Sequence, residues 1–160
     1  MHQMGFLHRD LKLDNALIDD KESVKLIDFG FSRYLPQKTD RTRTVCGTPE
    51  YASPEIIQAE LYNGLVDSWS FGVVLYTMAF KDFPFHSDHQ PLLFKRIVEF
   101  VDKDKSISDH IDQRAQVLSS SPLFADKDFR DLLGRLICHR DKRMTVGEAL
   151  EHPFFTKVKD

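Results

Sequence analysis

The sequence predicts a mainly helical domain with a small β hairpin at one edge, and three observations carry that reading. Residues 66–79 are apolar on nearly every helical face, as a helix enclosed by its own domain must be. Phe129, Leu132, Leu133, Leu136 and Ile137 recur at i, i+3, i+4, i+7 and i+8, the stripe of an amphipathic helix. Near the start, the β-prone runs Ala16-Leu17-Ile18 and Val24-Lys25-Leu26-Ile27 flank the polar turn Asp19-Asp20-Lys21-Glu22-Ser23, which predicts the hairpin.

The remaining segments follow from the same rules. Residues 33–46 are polar, basic and rich in threonine, with no periodicity, and read as a loop. Over residues 90–101, Leu93 pairs with Ile97 and Phe94 with Val98 at i, i+4, which predicts a helix that leaves Lys95, Arg96 and Glu99 in water. The polar stretch 102–126, with Ser119-Ser120-Ser121 inside it, reads as a mobile surface loop. Thr145 and Glu148 form a capping box that opens a last short helix, and Pro153 ends it.

Composition narrows the function classes. A chain of 160 residues with 41% hydrophobic and 29% charged residues is ordinary for one soluble domain. A net charge of −3 provides no bulk basic face for nucleic acid or an anionic membrane. The apolar run at 71–80 falls short of the roughly 20 residues of a membrane span, and Met1-His2-Gln3 lacks the parts of a signal peptide. Cys46 and Cys138 form no C-x-x-C pair and suggest no disulfide framework. The expected setting is the cytosol or nucleus, without nucleic-acid or membrane partners. Composition says nothing of oligomeric state.

Three motifs carry the chemistry: His8-Arg9-Asp10-Leu11-Lys12-Leu13-Asp14-Asn15, then Asp28-Phe29-Gly30, then Ser53-Pro54-Glu55. Taken singly, Asp10 reads as a turn residue and Asp28 as a cap. In this order and at these separations they resemble the catalytic core of the eukaryotic Ser/Thr protein kinases. The segment from Arg41 to Thr48 is most similar to that of cyclic-nucleotide-dependent and related kinases.

That resemblance implies an ATP- and Mg²⁺-dependent transferase acting on a protein substrate. Asp10 is then the catalytic base for the substrate hydroxyl, and Lys12 neutralises the γ-phosphate. Asn15 and Asp28 become the metal ligands, both oxygen donors as Mg²⁺ requires. Leu17 lies under the adenine ring, with Ala16, Ile18, Val74 and Met78 as an apolar column beneath it. Lys12 marks the serine/threonine class, and Thr48 bonds both Lys12 and Asp10. Thr44 becomes a phosphosite for an upstream activating kinase, its phosphate received by Arg9 and Arg33. On the plainer alternative, Arg41 and Arg43 are solvated charges beside an unmodified loop. The resemblance also gives Asp67 the task of bonding the backbone of the His8-Arg9 turn, which fits the rule that a carboxylate in an apolar helix must be satisfied. Glu55 and Arg143 match an ion pair that ties the activation segment to the last helices.

The sequence also departs from the family pattern. Ser53 replaces an alanine, residues 139–143 lack an Asp-Pro before the arginine, and Thr77 replaces a glutamate that basophilic relatives use to read substrates. No glycine-rich loop or strand lysine precedes the first motif. The expectation is therefore a C-terminal catalytic lobe alone over residues 1–155, with 156–160 as a tail and the N-terminal lobe absent. The activity of the isolated chain is then doubtful, and residues among Trp69, Phe71, Val73 and Tyr76 are expected to be partly uncovered. The rival reading is a catalytically inactive lobe that binds proteins or competes with an intact kinase.

Overall fold

The computed structural model describes residues 1–37 and 40–157. Lys38 and Thr39 of the expected loop, and Val158, Lys159 and Asp160 of the expected tail, lie outside the described residues. In chain order come strands β1 (Phe6–Leu7), β2 (Ala16–Ile18), β3 (Val24–Leu26) and β4 (Arg33–Tyr34). Helices follow: α1 (Pro54–Ile57), α2 (Leu65–Phe80), α3 (Gln90–Asp102), α4 (Ile107–Gln113), α5 (Ala115–Leu118), α6 (Lys127–Leu136), α7 (Val146–Leu150) and α8 (Pro153–Thr156). No helix among the described residues is long and apolar enough to cross a membrane.

Strands β2 and β3 form the expected antiparallel hairpin, Ala16 opposite Leu26 and Ile18 opposite Val24. Asp19 locks its turn by accepting the amides of Lys21 and Ser23, each at 2.9 Å. A second sheet pairs β1 with β4, Phe6 opposite Tyr34 and Leu7 opposite Arg33. The expected fold class, a helical lobe with one small hairpin, is thus corrected to a β-strand region of two sheets followed by a helical region. Two-residue strands so far apart in sequence leave no local period to read.

Helix α2 runs through the main core. Trp69, Val73 and Tyr76 are fully buried, so of the four residues named only Phe71 is partly uncovered. Their cover comes from aromatic residues whose reach the sequence does not display. Phe85 stacks on Trp69 at 6.1 Å, Phe80 meets Tyr76 edge-on at 4.7 Å, and Phe155 covers half-buried Phe71 at 6.5 Å. Nor is α2 enclosed on every side, since Met78 is 62% exposed. The predicted stripe of α6 is buried throughout, and Gly72 allows α2 to lie close against it. A Cβ there would stand 2.8 Å from both Leu136 Cβ and Ile137 Cγ1.

Residues 102–126 are not a plain surface loop. They contain α4 and α5, with Ser106 capping α4 and Ile107, Ile111 and Leu118 in the main core. The i, i+4 pair Ile107–Ile111 carries the helix signal, diluted by polar neighbours. The capping box of Thr145 and Glu148 does open α7. Pro153, however, starts α8 rather than ending α7, a first-turn position where no amide donor is needed.

A buried ion pair joins α1 to the turn before α7. Arg143 donates to Glu55 through Nη1 at 2.5 Å and Nη2 at 3.2 Å. It also donates to the carbonyls of Leu65 and Cys138, and its guanidinium lies 5.0 Å from the centre of the Trp69 ring.

Two predictions test this packing. Glu55→Ala strands a buried guanidinium and is expected to cost about 3–5 kcal/mol in denaturant unfolding; an exposed pair would cost about 0–1 kcal/mol, so a loss below 1 would contradict the burial. Glycines 72 and 134 give a paired test, because a Cβ at Gly134 would only touch Ile107 Cγ2 at 3.9 Å. Gly134→Ala should stabilise by about 0.8–1 kcal/mol through helix propensity, whereas Gly72→Ala should show a net loss from overpacking of about 1–3 kcal/mol. Shifts of the same sign would refute the close α2–α6 contact.

Candidate active site

Residues 8–15 leave β1 and run through a short 3₁₀ turn at Leu13–Asn15 into β2. Arg9 sits in the left-handed region at φ 68°, a conformation that costs on the order of 1–3 kcal/mol for a non-glycine residue. The fully buried Asp67 of α2 holds it there. Its carboxylate accepts the amides of His8 at 2.9 Å and Arg9 at 2.8 Å, and the Nε2 proton of His2 at 2.7 Å. The His8 ring accepts the Asp10 amide at Nδ1 (3.3 Å), so its Nε2 carries the proton given to the Ile27 carbonyl at 3.0 Å. That bond fastens the segment before Asp28 to the loop.

Asp10 lies at the centre of a closed set of contacts. Its Oδ1 accepts the Thr48 amide at 2.9 Å and the Thr48 hydroxyl at 2.8 Å. Its Oδ2 lies 3.2 Å from Lys12 Nζ and accepts Asn15 Nδ2 at 3.3 Å. Lys12 donates to the Thr48 hydroxyl at 2.9 Å. Burial alone would raise the Asp10 pKa. The Thr48 hydroxyl, the Lys12 ammonium and the Thr48 amide outweigh it and hold the carboxyl below its ordinary value. Asp10 is therefore an anion at neutral pH. Gly47 permits this approach: it has φ 97°, and a Cβ would stand 2.6 Å from the Arg9 carbonyl.

Asn15 and Asp28 flank one end of the hairpin, where the amide of Ile27, next to Asp28, donates to the Asn15 carbonyl at 3.0 Å. Asn15 Nδ2 also donates to the Asp10 carbonyl at 2.9 Å, leaving the side-chain Oδ1 without a hydrogen-bond partner among the described residues. Asp28 is exposed at φ 57°, with Oδ1 accepting the Gly30 amide at 3.2 Å and Oδ2 unpartnered among the described residues. Two hard oxygens with open valence fit Mg²⁺, which takes few protein ligands and fills the rest with water and phosphate. Among the described residues no group of three or more His, Cys, Asp or Glu is placed so as to hold a metal ion.

The other expected positions are less closely gathered. Leu17 is 51% and Ile18 74% exposed, on opposite faces of β2, with Ala16 half-buried at the start of the strand. Val74 packs against the main core, and Met78 is exposed. Arg9 and Arg33 do not share a partner. The Arg9 guanidinium donates to the Phe31 carbonyl at 2.6 Å and the Tyr62 hydroxyl at 3.0 Å. Arg33 lies exposed in β4 with no side-chain partner among the described residues. Thr44 is exposed, and its carbonyl accepts the Tyr62 hydroxyl at 2.6 Å. His2 and Tyr62 carry contacts that the sequence did not single out, since their partners lie 65 and 53 residues away.

Comparison with known proteins agrees with this geometry. The family model described as a protein kinase domain matches residues 1–155. The mouse protein "Protein kinase C delta type" is 36% identical over 160 residues, covering 99% of this chain and 21% of its own length. The human "Phosphorylase b kinase gamma catalytic chain, liver/testis isoform" is 34% identical over 168 residues, covering 99% of the chain and 37% of its own length. The "Aurora kinase" of Eremothecium gossypii is 34% identical over 159 residues, 99% of the chain and 39% of its own length. The chain thus spans about a fifth to two fifths of these relatives.

The match takes in the strand region and the helical region alike, and it carries no restriction to one lobe. It overturns the expectation of a C-terminal lobe only, and with it the doubt about activity that followed. Both leaned on where the sequence starts, which is no measure of what the protein contains. The chain belongs to the protein kinase domain family.

Proposed function

We propose that the protein transfers the γ-phosphate of ATP to serine or threonine hydroxyls of proteins. The observation that carries the reading is the Asp10 carboxylate held between Thr48 and Lys12. Phosphoryl transfer asks little covalent work of a protein and much positioning. Asp10 accepts a hydrogen bond from the incoming hydroxyl through Oδ2, orients its oxygen and takes its proton. As that oxygen bonds to the γ-phosphorus, the bond from phosphorus to the ADP oxygen breaks. Lys12 stands beside Asp10 and neutralises the oxygens of the group in transfer.

Asn15 Oδ1 and Asp28 would hold Mg²⁺, whose chemistry when bound is to neutralise phosphate charge. The hydrogen bond from Lys12 to Thr48 favours serine/threonine over tyrosine. Leu17 is the residue assigned to the adenine ring. Thr44 is assigned to an upstream activating kinase, and its exposure leaves the hydroxyl open to modification.

The test is Asp10→Asn. The amide keeps the shape of the side chain but cannot serve as base, so the rate should fall by roughly two to four orders of magnitude, with ATP affinity unchanged by calorimetry. A rate within a few-fold of the unsubstituted protein would remove Asp10 from the mechanism.

A further inference from the structure

We propose that Tyr62 is a positioning residue, a latch whose hydroxyl ties the activation segment to Arg9 without any phosphate. The inference rests on the phosphotransferase reading above, but its first readout does not. A tyrosine hydroxyl has one proton to give and lone pairs to accept with, and here both are used. It donates to the Thr44 carbonyl at 2.6 Å and accepts from Arg9 Nη1 at 3.0 Å. The backbone adds two further ties, since Thr42 and Tyr62 exchange amide-to-carbonyl bonds of 3.0 and 2.9 Å. Tyr62 itself is only 3% exposed, packed with Leu7, Ile56 and Val66. Burial pushes the hydroxyl above its ordinary value against the pull of Arg9, so it stays protonated and able to donate at working pH.

The consequence reaches the reacting group. Arg9 precedes Asp10, and its guanidinium is clamped between Tyr62 and the Phe31 carbonyl. Thr44 lies four residues before Thr48, which bonds Asp10. Tyr62 therefore fixes both chain segments whose residues meet at the Asp10 carboxylate. The unmodified segment is already attached, and modification at Thr44 would add to a hold that exists.

Tyr62→Phe removes one oxygen and keeps the buried ring. In the full chain we would follow trypsin cleavage after Arg41 and Arg43 against cleavage after Arg130 and Arg135 in α6, and measure transfer to a serine peptide. The latch predicts at least fivefold faster cleavage after Arg41 and Arg43 with α6 unaffected. It also predicts kcat lower by about three- to tenfold at an unchanged KM for ATP. Arg9→Lys, which lacks the planar fork, should loosen the same sites, and the double variant should show no further increase. Cleavage after Arg43 within twofold of the unsubstituted protein would overturn the proposal. So would an equal rise at all four sites, which means general loosening, or faster cleavage with unchanged kcat. Absence of transfer in the unsubstituted chain would instead refute the activity, and cleavage alone would then decide the latch.

Discussion

A single buried carboxylate organises this protein. Asp67 has no solvent exposure, and an ionised group so placed is costly unless its oxygens are filled. They are filled by two backbone amides of the loop that carries Asp10 and by the His2 ring. The hydrogen bonds to Asp67 offset both the cost of its burial and the cost of the left-handed Arg9, because the carboxylate is satisfied only when the loop adopts the strained turn. Helix α2 supplies Asp67, and α2 is itself held by Trp69 against Phe85 on one side and Arg143 on another. The position of the catalytic loop thus derives from the aromatic core.

Around that anchor, chain segments far apart in sequence converge by polar contacts. Thr48 arrives from the activation segment because Gly47 lets the backbone pass within contact of the Arg9 carbonyl. His8 draws in the strand that leads to Asp28 through the Ile27 carbonyl. Lys12 and Thr48 keep Asp10 charged even though burial works against it. Six non-glycine residues stand at positive φ among the described residues. Of these, Arg9 and Asp28 fall in the first two motifs, where strain is expected if preorganisation is part of catalysis, while Glu22, Ala59, Lys81 and Asp104 lie in turns and bends. The ion pair of Glu55 and Arg143 extends the same logic outward, tying α1 to the turn before α7.

Much of this was readable in the sequence, and the limits follow from physics. The hairpin, α3, α6 and the Thr145 cap announce themselves through short-range periods and spacings. The role of Asp67 was expected from family resemblance, and it agrees with the rule that a carboxylate among apolar residues must be satisfied. The contacts of Thr48 with Asp10 and Lys12 were expected from family resemblance and would not follow from periodicity; the bonds from Asn15 to Asp10 were not foreseen. The sheet of β1 and β4, the burial of Ile107 and Ile111, and the aromatic cover of Trp69 depend on residues distant in sequence, which leave no local mark. His2 and Tyr62 were missed for the same reason. Reading a missing lobe from the first residues was an error of another kind, an inference from absence. Arg9 and Arg33 were expected to receive a phosphate on Thr44; in the unmodified chain Arg9 donates to Phe31 and Tyr62, and Arg33 lies exposed in β4.

The measurement that bears most directly on this account is Asp67→Asn, followed by amide hydrogen exchange and by phosphoryl transfer on the same sample. The amide group presents one oxygen where the carboxylate presented two, so one of the His8 and Arg9 amides loses its acceptor. The account predicts faster exchange at those two amides, preserved protection in α6, and a rate reduced on the order of a hundredfold, as for a catalytic group displaced by about 1 Å. Unchanged protection at His8 and Arg9, with a rate within a few-fold of the unsubstituted protein, would show that the loop holds its own shape and would contradict the account.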